Sequence, residues 1–342
     1  MPVRTMPWTS AATAAAALAA ALVGAGVVSA SPAVAATSPT AGASCPSGTL
    51  SLRTLESGCT TSTGTVRLAD GRTFAVPARG ESVAALSVAA AGAEELPEVV
   101  VTNTGNSGVA VRVGEAWQGS PSAVRQAERS TLGTADTAHT ADTGAATVRP
   151  SAASTKCTSK ANTQNDYRWS STVQWYYNPS GTRTTYGDDA LRSAADAWTG
   201  TITSCGTTVT SSARESFVRE ATQAPDLTKD GGCATNNGYS VMGWGALPAG
   251  TLGVTCVWYD QNGVAREADQ RYATRYSWSS TATCSGSRYD MQAVATHEWG
   301  HLYGLGHVAS GTGQVMEPSG GTCATGSRTL GLGDMTGIAA KY

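Results

Sequence analysis

The chain has 342 residues, a formal net charge of −2 and only 14% charged residues, below the usual quarter. That length holds two compact units plus connecting segments. The balance excludes the basic face of a nucleic-acid binder and the polybasic patch of a membrane-surface protein.

Arg4 precedes an apolar, alanine-rich stretch over 11–28, followed by Ser31, Pro32 and Ala33-Val34-Ala35-Ala36. A positive start, an apolar run and a small-x-small site together describe a secretory signal peptide over 1–36, cut after Ala35 or Ala36. No later run is long enough to span a bilayer, so no membrane anchor is expected and the protein should be extracellular. Eight cysteines fit an oxidising compartment. Two lie before residue 60 and six from Cys157 onward, so each group can pair internally. Sequential pairing (45–59, 157–205, 233–256, 284–323) is the simplest scheme, although six cysteines alone permit about fifteen pairings.

Residues 37–117 form a small β-rich unit, read as a pro-segment. Runs at 65–68, 73–76 and 99–102 are strand-like, and Asp70-Gly71 marks a hairpin between the first two. Residues 118–156 are rich in Ala, Thr and Ser and read as a linker open to proteolysis, with a short helix near 122–129. All eleven tyrosines and seven of the nine tryptophans follow Cys157. Large aromatics supply much of a core, so the well-packed domain is 157–342.

Within it, 172–177 reads as a strand ending at Asn178-Pro179. Asp188 is positioned to cap a helix with Leu191, Ala194, Ala195 and Trp198 on one face. Strands over 254–259 and 264–272 meet at Asn262-Gly263, a hairpin turn. A helix starts near Asp290, and another closes the chain over 334–341. Strands mixed with helices predict an α+β domain.

The helix from Asp290 carries His297-Glu298-Trp299-Gly300-His301, followed by Gly304 and His307. Residues four apart on a helix differ by about 40°, so His297 and His301 project side by side. Glu298 is rotated by about 100°, within reach of a metal-bound water but outside the coordination sphere. Gly304 can take the positive φ that ends a helix and returns His307 as a third ligand. Three ligands leave one position open, as catalytic zinc requires. The reaction expected is hydrolysis of peptide bonds in extracellular proteins, with Glu298 as the base. The bland alternative is a pair of histidines on an amphipathic helix, but three of the chain's four histidines stand in this one pattern. The fourth, His139, lies in the linker and receives no role.

These residues resemble the metzincin zinc metallopeptidases, in particular the matrixin-like type seen in short secreted bacterial enzymes. The family also carries a methionine in a tight turn beneath the metal. Met316, in Gln314-Val315-Met316-Glu317-Pro318, stands in that place. The resemblance spans roughly residues 169–342. It implies a metzincin-like catalytic domain: a twisted mixed sheet with an active-site helix and a C-terminal helix. It also implies one catalytic zinc, held by His297, His301 and His307, with Gly304 and Met316 as structural support. A substrate peptide would lie antiparallel along an edge strand, for which 252–259 is the candidate. The stretch after Met316, including Pro318, would form a pocket wall stapled by Cys284–Cys323.

Two features depart from vertebrate matrixins. The C-terminal domain has no histidine beyond those three for a second, structural zinc, and the Pro-Arg-Cys-Gly switch is missing. Latency would therefore be steric, or would use a carboxylate such as Asp136 or Asp142. Calcium is compatible with the family, yet no Asp/Asn/Gly loop of recognisable spacing appears. Expected partners are protein or peptide substrates, with no nucleic acid, and the chain should act as a monomer. Three rival readings carry different tests. A secreted binding or adhesion protein could keep the metal for stability alone, but it would need four protein ligands and no Glu298. The N-terminal unit could be a permanent module, in which case the active product starts near Thr37 rather than at 120–157. A peptidoglycan cross-bridge could replace protein as substrate, but no wall-binding repeat supports it.

Overall fold

A computed structural model describes residues 42–132 and 155–342. The proposed signal peptide, His139, Asp136 and Asp142 lie outside the described residues.

One large mixed sheet organises the molecule. Its strands are β1 (Glu81–Ala90), β2 (Val99–Asn103), β3 (Val109–Val113), β4 (Ala116–Gln118), β5 (Val173–Asn178), β6 (Glu215–Glu220), β7 (Ser240–Gly245), β8 (Thr251–Asp260), β9 (Ala265–Ala273) and β10 (Ser319–Gly320). The order is β6-β5-β7-β9-β8-β1-β2-β3-β4, with β10 beside the end of β1. Strands β6, β5, β7 and β9 are parallel, and β8 returns antiparallel to β9. Gly263, at φ 72°, makes the expected turn between them. From β8 onward, β1 to β4 continue the sheet as antiparallel neighbours.

The helices are α1 (Leu52–Glu56), α2 (Pro121–Leu132), α3 (Gly187–Asp196), α4 (Met291–Leu302) and α5 (Leu332–Lys341). Helix α2 stands where a short helix was expected; the Ser120 hydroxyl accepts from the Ala123 N–H at 3.2 Å to cap it. In α3, Leu191, Ala194 and Ala195 are buried as the periodicity requires, but Asp188 does not cap it. The helix begins two residues earlier, at Gly187 after Tyr186, which makes no side-chain cap, and Asp188 lies in the first turn. Its charge there still favours the positive end of the helix.

Side chains alternate across β1 in a way that explains its place. Ala84, Leu86, Val88 and Ala90 enter the core shared with α3, α4 and α5. Val83 and Ala85 face a second core closed by a small sheet of Thr49–Ser51, Thr65–Arg67 and Thr73–Ala75. Both faces of the strand are therefore covered, which calls for a continuous run of small apolar residues rather than alternation with polar ones. All four sequential disulfides form, at S–S distances of 2.07, 2.03, 2.00 and 2.01 Å. Cys45 is thus held by Cys59 and is no free thiol.

Strand β8 is the antiparallel strand expected to receive substrate, but it is not a free edge. β1 pairs with it from Thr251 to Asp260. Sequence patterning missed this because alanine has low strand propensity, and β1 is built largely of alanine and serine.

Candidate active site

Helix α4 starts at Asp290, whose carboxylate accepts from the Ala293 N–H at 2.9 Å and from Arg328 Nε at 2.8 Å. Eleven of its residues, from Met291 to Leu302, are buried. The helical repeat places His297 Nε2 and His301 Nε2 2.9 Å apart. The helix ends at Tyr303, and Gly304 takes φ 91°. A Cβ at Gly304 would stand 2.3 Å from the Tyr167 carbonyl oxygen. The turn has no room for another residue. It brings His307 Nε2 to 3.2 Å from that of His297 and 3.1 Å from that of His301.

The outer ring nitrogens decide how this triangle can be used. His297 Nδ1–H donates to the Val315 carbonyl at 2.8 Å, and His301 Nδ1–H to the Leu305 carbonyl at 2.9 Å. Because a carbonyl only accepts, each Nε2 is left with its lone pair. His307 Nδ1 pairs instead with Glu95 Oε1 at 2.5 Å, a carboxylate supplied by the N-terminal segment. Burial first, and the neighbouring His307 second, lower the His297 pKa to about 3, and the same causes with His297 lower that of His301 well below its ordinary value. Both rings are neutral near pH 7, as metal ligands must be.

Three lone pairs aimed at one point repel unless a cation lies between them. Zinc at about 2.0–2.1 Å from each nitrogen in tetrahedral geometry requires separations of about 3.3 Å. The triangle is close to that size, and His297, His301 and His307 are together able to hold one metal ion.

Glu298, the residue after His297 in α4, is fully buried. Its Oε2 accepts from Thr255 Oγ1 at 2.6 Å and its Oε1 from the Val88 N–H at 3.2 Å. Burial pushes its pKa up to about 8, against the lowering effect of those two donors. Gly253 leaves the space it occupies, since a Cβ there would lie 2.6 Å from Oε1.

Met316 packs under α4: a Cβ on Gly300 would come within 2.3 Å of its sulfur. Its turn is fixed from α5. Asp334 Oδ2 accepts from the N–H groups of Val315 at 2.7 Å and Gly331 at 2.8 Å, and Oδ1 from Met316 N–H at 3.3 Å. By holding Val315, Asp334 also fixes the carbonyl that orients His297. At the other end of α4, Tyr167 Oη donates to the His301 carbonyl at 2.7 Å and Trp169 Nε1 to that of Leu302 at 2.9 Å. These satisfy carbonyls that a helix terminus leaves open.

All the singled-out residues, His297, Glu298, His301, Gly304, His307 and Met316, thus meet in one place. Sequence reading missed Thr255, Glu95, Asp334 and Val88. Thr255 was legible only as an inward polar residue of a strand, and nothing local marks Glu95. A second group, Asp226, Glu267 and Asp269, has carboxylate oxygens within 4.8 Å of one another and could hold a cation. Burial raises the pKa of all three, that of Glu267 to about 7.

No curated protein matches the chain. Residues 162–342, more than half of the chain, match the matrixin family. The matched span contains the three histidines, Glu298, the methionine turn and α5, so the geometry and the match rest on the same residues. The chain belongs to the matrixin family of zinc metalloendopeptidases.

Proposed function

We propose that the protein is a secreted, zinc-dependent endopeptidase of extracellular proteins, made as a latent precursor, with Glu298 as its base. The observation that carries the reading is the Nε2 triangle of His297, His301 and His307, with the buried Glu298 on the same helix next to His297. A zinc ion held there would lower the pKa of water and polarise the peptide carbonyl. Glu298 takes the proton of the attacking water and hands it to the departing amine. Thr255 holds Oε2 in place, and Gly253 gives the carboxylate room beside β8. The outer hydrogen bonds of the histidines keep their inner nitrogens free.

Latency follows from the cover on β8. β1 fills the strand position that a substrate would need, which favours a removable pro-segment over a permanent module. The disulfides and the N-terminal sequence over 1–36 support export. Casein hydrolysis by the processed protein tests the reading. Chelation should abolish activity reversibly, and a serine-protease inhibitor should leave it unchanged. Activity that persists in a metal-free sample would refute the proposal.

A further inference from the structure

β1 does more than cover the site. It lies between β8 and β10, antiparallel to the first and parallel to the second. Antiparallel to β8 is the direction expected of a substrate. Backbone hydrogen bonds hold the segment on both sides: Ala89 N–H donates to the Pro318 carbonyl at 2.9 Å, Ala90 N–H to Gly250 at 2.7 Å and Ala91 N–H to Gly320 at 2.9 Å. At Val88 the pattern changes. The ladder with β8 shifts register between Thr251 and Gly253, and the Val88 N–H donates to Glu298 Oε1 at 3.2 Å. The nitrogen held by the proposed base is the one that must accept a proton when a peptide bond is cut.

We propose that the molecule cuts its own Ser87–Val88 bond, so that β1 is its first substrate. The inference rests on the endopeptidase reading above. Water oxygen adds to the Ser87 carbonyl carbon, and the bond from that carbon to Val88 nitrogen breaks. Glu298 carries a proton from the water to that nitrogen. Ser87 ends as a carboxylate and Val88 as an ammonium that holds both protons of the water, which is the only co-reactant. Ser87 and Val88 are 4% and 2% exposed, which shelters the bond from a second enzyme molecule, while the Val88 N–H already touches Glu298. The cut divides β1. Residues 82–85 stay in register with β2, whereas 88–91 lose their tether on one side, and the loss of that tether lowers their effective concentration in the cleft.

The test follows the zinc-loaded full chain by intact mass and N-terminal sequencing, with casein hydrolysis measured on the same sample. A fragment beginning at Val88 should appear with a rate constant unchanged over about a hundredfold range of protein concentration, as an intramolecular step requires. It should be absent in Glu298→Gln, and casein hydrolysis should rise with it. Casein hydrolysis without any chain beginning at Val88 overturns this proposal and leaves the endopeptidase reading standing. A rate proportional to protein concentration overturns it as well. A chain that neither hydrolyses casein nor cuts itself refutes both. Hydrogen exchange of the metal-free Glu298→Gln chain supplies a readout that needs no turnover. The amides of residues 88–91 should be strongly protected, and exchange at the open-chain rate would remove the strand from the cleft.

Discussion

Strand β8 has two neighbours of different origin. β9 reaches it through the turn at Asn262-Gly263 and pairs from Gly253 to Tyr259. β1 pairs along its whole length but comes from the N-terminal half of the chain. The first ladder closes a short loop; the second closes a long one and depends on the chain between staying whole. The side chains differ too. β9 buries Glu267 and Asp269, each held by backbone N–H donors such as those of Asn237 and Val241. β1 buries no carboxylate: apart from Glu81 it offers small apolar residues, Leu86 and two serines, of which Ser82 shares a hydrogen bond with Thr102 at 2.9 Å. One neighbour belongs to the span matched to the matrixin family, and the other comes from outside it. The histidines repeat this contrast. His297 and His301 lean on carbonyls of their own domain, while His307 leans on Glu95 from the N-terminal segment.

Several perturbations would sharpen or break this contrast. The largest effect belongs to Glu298→Ala. Zinc should stay bound at one per chain by elemental analysis, while casein hydrolysis falls by about a thousandfold. Near-normal turnover would remove Glu298 from the role of base. Gly304→Ala should cost about 3 kcal/mol of stability in a denaturant titration, from a positive φ and a collision with the Tyr167 carbonyl. An unchanged midpoint would mean that the turn before His307 relaxes freely.

Asp334→Asn reads the support of the methionine turn. Burial raises the Asp334 pKa from 3.8 to about 6. The folded state therefore holds a proton that the unfolded state has already lost. The stabilisation from that proton is complete below the unfolded pKa and disappears as pH rises through about 6. The stability of the wild type relative to Asp334→Asn should fall by roughly 1–3 kcal/mol between pH 4 and 7. A difference that grows with pH would reverse the assigned cause. The smallest effect is that of Glu95→Ala in the full chain, which should weaken zinc binding about tenfold in a chelator competition. Equal affinities would show that the N-terminal segment covers the site without tuning it.

Much of the permanent domain was readable because its signals are local. The spacing of His297, His301 and His307 follows from helical periodicity and one glycine turn. Asn262-Gly263 marked its hairpin, and the cysteines paired in sequence order. Asp188 stands two positions inside the helix rather than at its cap, because acidic residues favour both the cap and the first turn of a helix. β1 escaped notice for a different reason. A strand buried on both faces shows no polar alternation, and its alanines argue locally against a strand.

By itself, then, the sequence determined the three-histidine motif, its carboxylate and the helix that carries them, since each depends on residues a few positions apart, while for the disulfides it offered only the simplest of several schemes. Only the tertiary structure decided what lies across that site. The meeting of Val88 with Glu298, of Glu95 with His307 and of Asp334 with the turn at Met316 joins distant segments through packing and backbone pairing, and neither leaves a periodic trace in the residues themselves.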